Sequence, residues 1–281
     1  MFYTRFRRVS NYIWWDEVTF RVFLMEGGLT VFVALRVALS ITMLGYASYK
    51  DVKTREISDL VWIVFGVAGL SLDIIEVYMG ILGLFPLLTT VGFLTVFAFL
   101  TGYLGFFGGA DLLAFIVIGL LNPVTPYTGF EPLIFSPVFF SLTVISNSVL
   151  IGASGVIVVL IYNLTPSRKD GLFHGYVALK GWRRILLLLT GIKKDVETIR
   201  GPPYEYPLEK IGEVGAISII LRPNLADDAG ASETFRKLRS MGRTRVWVSY
   251  TLPFLLVLGV GYLSSIIFGD FALWFFSLFI Y

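Results

Sequence analysis

Residues 29–62 read LTVFVALRVALSITMLGYASYKDVKTREISDLVW. From Leu29 to Tyr49 the only charge is Arg36, and the run matches the ~20 apolar residues that carry a helix across a bilayer. Lys50, Asp51, Lys53, Arg55, Glu56 and Asp59 then crowd a short polar turn, and from Leu60 the apolar pattern resumes. One span, a charged turn and a second span follow from this stretch alone.

Outward from it the same pattern repeats. The second span runs from Leu60 to Val77, with Asp73 and Glu76 near its far end. Val77 to Ala110 carries no charge and is too long for one crossing, so it predicts a span over about 81–104 followed by a turn. Leu112 to Leu121 continues as a short helix and stops at Asn122-Pro123. A fifth span is expected over 138–162 and a sixth over 246–268. Residues 271–281 are too few to cross and are expected to lie at the interface. The expected fold is an all-α integral membrane protein of about six transmembrane helices. Composition agrees: 56% of the 281 residues are hydrophobic and 15% charged, where soluble domains are roughly a quarter charged.

Residues 165–245 differ in kind. They hold 15 of the 23 Lys and Arg residues and 9 of the 20 acids, and they read as a small mixed cytoplasmic insert between spans five and six. Trp182-Arg183-Arg184 followed by Ile185–Leu189 predicts an amphipathic surface helix, and 214–221 a short strand, with Gly201-Pro202-Pro203 breaking the chain between them. The expected organisation is an N-terminal arm over 1–28, a membrane core over 29–164, the insert over 165–245, and the last span with its tail over 246–281.

Loop charge sets the expected orientation. With six crossings, the Lys50–Arg55 turn, the Gly105–Gly109 turn and the insert share one side, and positive-inside logic makes it cytoplasmic. Arg5, Arg7, Arg8 and Arg21 would then lie outside; a natural start at Met25 removes that conflict. No cleavable signal peptide is expected, because no small-residue cleavage site follows a basic n-region.

The chain has no cysteine and a single histidine, His174. Disulfides, thiolate nucleophiles, cysteine zinc sites and paired-histidine metal sites are thereby excluded, and no cofactor is expected. Nor is a nucleic-acid partner, at a net charge of +3. Carboxylates remain. Acids beside a membrane are costly and mark candidate sites. Asp51 closes the first span and Asp111 opens the fourth, so parity places them on the same face whichever way the chain enters. Two carboxylates sharing a site do not both ionise cheaply, so one holds a proton while the other activates water. Gly108-Gly109 before Asp111 leaves backbone without bulk, against which a peptide substrate can lie extended. The plainer alternatives are a solvated helix end at Asp51 and a helix cap at Asp111.

The stretch Ser48-Tyr49-Lys50-Asp51, its basic residues, Arg55-Glu56-Ile57 and Asp59 together resemble the archaeal type IV prepilin peptidases, specifically the preflagellin (prearchaellin) peptidases of the GxGD class. Gly108-Gly109-Ala110-Asp111 is similar to that class's Gly-x-Gly-Asp, with Ala110 in place of the second glycine. Val246-Trp247-Val248, Pro253 and Phe268-Gly269-Asp270 look like the family's last span. The resemblance implies an intramembrane aspartyl endopeptidase in the cell membrane. It would remove the short basic leader of pilin-like or archaellin precursors at the cytoplasmic face, with Asp51 and Asp111 as the catalytic pair, Gly108 as the motif's first glycine and membrane lipid around it. The zinc element of some bacterial relatives is absent with the cysteines.

Competing readings stay open at this point. A channel or transporter lined by Asp51 and Asp111 is one. Gly152-Ala153-Ser154-Gly155 resembles a rhomboid serine motif, but its histidine would have to be His174, in a polar stretch. Presenilin-like proteases place Tyr before the first Asp, where this chain has Lys50. Glu56 and Asp59 are expected either to pair with Lys53 and Arg55 or to read a basic leader.

Overall fold

The computed structural model describes residues 17–127, 132–134, 139–165, 172–173, 176, 179–212 and 216–279, with side chains from residue 29 onward. Five helices follow in order: α1 (Glu17–Thr54), α2 (Asp59–Tyr78), α3 (Leu84–Tyr103), α4 (Gly109–Leu121) and α5 (Phe140–Leu164). The links between the first four are short, so neighbours run antiparallel. The end of α1, both ends of the turn into α2, the end of α3 and the start of α4 therefore meet at one end of the bundle. α4 packs between α2 and α3 and touches α1, while α5 packs on the later helix α8 (Phe254–Ile267), which lies along α1.

Four helices are long and apolar enough to cross a membrane: Leu29–Thr54 within α1, α2, α3 and α5. These mark a multi-pass membrane protein. α4 and α8 are apolar but shorter, at 13 and 14 residues, or about 20 Å at 1.5 Å per residue. Their buried faces carry much of the core, in which Phe115, Ile118, Leu121, Leu258 and Tyr262 are fully enclosed against Met43, Leu44 and Ala47. Close approach of α5 and α8 depends on Gly261, where an added Cβ would lie 1.9 Å from Ser148 Oγ. The opposite faces stay apolar and exposed, as at Ile63, Val67, Phe99 and Val158, which suits helices whose solvent is lipid.

Two boundaries differ from the sequence reading. α1 begins at Glu17, so the second half of the expected 1–28 arm is helix continuous with the first span; residues 1–16, with Arg5, Arg7 and Arg8, lie outside the described residues. The expected sixth span began at Val246, but Arg245–Tyr250 is a strand, β5, and helix resumes only at Phe254. An apolar run of this length suits a buried strand as well as a helix turn, and periodicity does not separate them.

β5 is the centre of the polar segment's own fold. It lies between β1 (Ile192–Asp195) and β2 (Glu205–Pro207), antiparallel to both, with Lys193 opposite Trp247 and Glu205 opposite Tyr250. A small hairpin pairs β3 (Glu209–Ile211) with β4 (Ile217–Ile219). The expected amphipathic helix is α6 (Gly181–Thr190), with Leu187 buried and Trp182, Ile185 and Leu186 exposed. It is tied to α5 by Asn163, whose Nδ2 donates to the Leu188 and Gly191 carbonyls at 2.9 and 2.7 Å. Helix α7 (Asp228–Ser240) closes one face and a short helix, α9 (Phe271–Ser277), ends the described chain.

Within this segment the Tyr206 hydroxyl donates to Asp228 Oδ1. Burial first, then the Asp228 carboxylate, push its phenol from 10.0 up to about 12. The protonated form is the one the fold favours, so this stabilisation is complete below pH 10 and is lost as pH rises towards 12. The melting temperature of the protein in detergent is expected to fall over that range, and Tyr206→Phe is expected to flatten the fall.

At the far end of the bundle from Asp51, Arg36 pairs with two acids. Its Nη2 lies 2.7 Å from Asp73 Oδ1 and its Nε 2.8 Å from Glu76 Oε1, with all three side chains at 4% exposure or less. Arg36 Nη1 donates to the Leu120 carbonyl at 2.9 Å, satisfying an orphan acceptor at the end of α4. Asp73 and Glu76, which the sequence marked only as lying near the far end of the second span, are thus inside the bundle. A buried arginine opposite makes that position tolerable. Beside this triad, Asn122 Nδ2 donates to Ser40 Oγ at 2.9 Å and Tyr262 Oη to Asn122 Oδ1 at 3.1 Å.

Candidate active site

Asp51 occupies the last turn of α1 and is 8% exposed. Its two oxygens have separate partners. Oδ1 pairs with Arg55 Nη1 at 3.2 Å. Oδ2 accepts the Leu255 N–H at 3.0 Å, from a residue 204 positions away. Leu255 lies in the first turn of α8, whose N-cap is Pro253, so the carboxylate sits against an unsatisfied helix N-terminus, a natural anion site. Ser48, one turn back, donates from Oγ to the Leu255 carbonyl at 3.0 Å. α1 and α8 are thereby pinned together at the level of Asp51.

Arg55 has φ +59°, the left-handed region, where a non-glycine residue costs about 1–2 kcal/mol. Its N–H reaches back to the Lys50 carbonyl at 3.2 Å and ends α1. This turn folds the side chain under the helix end, where Nη2 donates to the Thr251 carbonyl at 2.6 Å. The guanidinium stands over the Tyr204 ring, 5.8 Å from its centre. Its buried Nε has no acceptor among the described residues.

Asp111 is the third residue of α4, and its Oδ2 accepts the Gly108 N–H at 3.1 Å. Gly108 is the N-cap, with φ −75° and ψ 163°, and its carbonyl accepts the Leu112 N–H at 3.2 Å. Both backbone groups of Gly108 are thus used in capping α4. Neither Gly108 nor Gly109 has positive φ, so their backbones do not demand glycine. What they provide is room: a Cβ at Gly109 would meet nothing within 4 Å, and one at Gly108 would touch Asp111 Oδ2 at 3.5 Å.

The two aspartates stand at the same end of the bundle, and Asp111 lies within electrostatic reach of both Asp51 and Arg55. No hydrogen bond joins the two carboxylates among the described residues. Three aromatic rings pack together where α4 and α8 begin. Phe107, in the turn before α4, lies 4.8 Å from Phe254 and 5.1 Å edge-on to Phe115. These rings form an apolar wall between the helix starts, and such surroundings strengthen charge interactions between carboxylates.

The insert reaches this end from the side. The Tyr204 hydroxyl donates to the Lys53 carbonyl at 2.5 Å, and Thr251 binds back to Tyr204 through its N–H at 3.0 Å. A groove of about 800 Å³ opens beside Arg55, between Gly152, Gly155 and Val156 of α5 and Lys194, Glu205 and Tyr250 of the sheet. Tyr204 and the Leu255 amide were not singled out from the sequence, and Arg55 stood there as part of the motif and as a partner for Glu56 or Asp59 rather than for Asp51; Pro253 ahead of an apolar run is the one signal that marks a helix start there.

Other sequence candidates fare differently. Ser154 is exposed and its Oγ donates to the Ile151 carbonyl at 2.6 Å; His174 lies outside the described residues. Lys53 turns to Tyr49, 2.9 Å from its hydroxyl, and Arg55 to Asp51. Glu56 and Asp59 are exposed and form no ion pair with either among the described residues.

Two stretches of the chain match known families. Residues 38–157, containing Asp51 and Asp111, are similar to the Type IV leader peptidase family. Residues 183–271, containing most of the insert and α8, are similar to the family described as Archaeal Peptidase A24 C-terminus Type II. No curated protein matches the chain.

Proposed function

Because this chain belongs to the type IV leader peptidase family, we propose that it is an intramembrane aspartyl endopeptidase that removes the short basic leader of pilin-like or archaellin precursors. The observation that carries this reading is the placing of Asp51 and Asp111 at one end of the bundle within electrostatic reach of each other. One carboxyl holds a proton and hydrogen-bonds the scissile carbonyl; the other takes a proton from water as it attacks. A like-charged pair in a partly dry setting favours that division.

In this reading α4 and α8 complete six crossings as short spans inside the bundle, and the charged end of the bundle, with the insert, faces the cytoplasm. The substrate lies against Gly108-Gly109, where the open space beside Gly109 admits a peptide backbone. A peptide bond inside a helix is shielded, so the precursor presents its cleavage site unwound, just before its apolar helix.

Glu56 and Asp59 give the leader its counter-charge, since both are exposed and unpaired with Lys53 or Arg55. Replacing them together, Glu56→Gln with Asp59→Asn, is expected to raise KM about 2–10-fold with kcat nearly unchanged, the size of two exposed charge contacts. Steady-state cleavage of a synthetic precursor checks this. The reading itself is tested by co-expressing the chain with a pilin-like precursor and following its size on a gel. Shortening at the leader junction is expected. A channel or transporter would leave the precursor uncut.

A further inference from the structure

Arg55 is the one non-glycine residue at positive φ among the described residues, and glycine would adopt that conformation at no cost. A side chain kept there is kept for what it holds. Resting on the protease reading above, we propose that Arg55 and Tyr204 form a positioning clamp through which the insert sets the orientation of the Asp51 carboxylate.

The contacts close a ring. Arg55 takes Asp51 Oδ1 at 3.2 Å and the Thr251 carbonyl at 2.6 Å. Four residues beyond Thr251, the Leu255 N–H takes Asp51 Oδ2 at 3.0 Å. Asp51 is therefore held twice from this stretch, directly by the first turn of α8 and through Arg55 by the β5–α8 link. Tyr204 completes the ring from the insert. Its ring underlies the guanidinium, its hydroxyl holds the Lys53 carbonyl at the end of α1, and its own carbonyl accepts the Thr251 N–H. With both oxygens of Asp51 fixed, the carboxyl plane has one orientation. Asp111, by contrast, has its hydrogen bond within its own helix cap.

Neither Arg55 nor Tyr204 is bonded to the Gly108–Asp111 turn among the described residues. Loss of the clamp thus changes how Asp51 is aimed rather than how a precursor is held. Aiming errors of about 1 Å cost on the order of 10²-fold in rate.

The test is steady-state cleavage of a precursor by the full-length protein in detergent, together with its melting temperature. For Arg55→Gly, kcat falls ~10²-fold while KM stays within about twofold. The melting temperature does not drop in proportion, because glycine relieves the left-handed backbone. Tyr204→Leu lowers kcat about 10-fold or more, and Tyr204→Phe, which keeps the ring, lowers it less. Combined with Arg55→Gly, Tyr204→Leu adds little further loss, because the two act on one carboxylate. Full activity in Tyr204→Leu, multiplying losses in the double variant, or a loss confined to KM overturns the clamp and leaves the protease reading standing. A wild-type protein that cuts no precursor overturns both.

Discussion

Asp51→Asn and Asp111→Asn are each expected to lower the rate of leader cleavage by at least ~10³-fold, towards the upper end of what one acid–base group supplies. The amide cannot exchange a proton at neutral pH, so either change leaves the pair without its proton donor or without its base. Expression should survive at both positions, for different reasons. Asparagine at position 111 still accepts the Gly108 N–H. At position 51 its carbonyl oxygen still accepts the Leu255 N–H, although Arg55 loses its charged partner. The double variant should be no slower than the worse single one, because groups that act as a unit are not additive. Purified variants assayed against one precursor, with folding followed by tryptophan fluorescence, measure this. Multiplying losses would mean two independent sites.

The second large effect lies elsewhere. Arg36→Met is expected to destabilise the protein by about 3–5 kcal/mol, the cost of breaking a buried ion pair from one side. It strands Asp73 and Glu76, which are 0% and 3% exposed, and leaves the Leu120 carbonyl without its donor. Replacing all three together, Arg36→Met with Asp73→Leu and Glu76→Leu, is expected to recover most of that loss, since no buried charge is then left over. Reversible unfolding in mixed detergent micelles measures both. The rise along α1 from Arg36 to Asp51 is about 22 Å, so the triple variant, once folded, should retain cleavage. A single variant as stable as the wild type would mean that the triad contributes nothing to the bundle.

The layout of the bundle was legible because the bilayer imposes a length on every apolar run. Asp111 stood out as the first charge after a long uncharged run and Asp51 as the acid that closes the first span, and counting links between spans puts both at one end. What surrounds them was not legible. Asp51 appeared as the closing residue of a helix, yet its second oxygen sits on the N-terminus of α8, 204 positions onward. No local pattern connects Asp51 with Leu255. Val246–Tyr250 looked like membrane span because it is apolar; it is instead the central strand of a three-stranded sheet, with Val246, Trp247 and Val248 buried. Arg36 stood out in the sequence only as the one charge of its run, and it pairs with two acids from one face of α2. Tyr204 carried no signal, since one tyrosine after a proline pair resembles any turn.

The claim on which the rest depends is that Asp51 and Asp111 act on one reacting carbon. A precursor peptide whose scissile carbonyl is replaced by a tetrahedral hydroxyl group tests it most directly, because such a group mimics the attacked intermediate and binds where both carboxyls converge. Wild-type protein is expected to bind it at least ~10²-fold more tightly than the matching substrate, and Asp51→Asn and Asp111→Asn should each abolish that preference. If either variant still favoured the hydroxyl peptide by the wild-type margin, the two aspartates would not share a site.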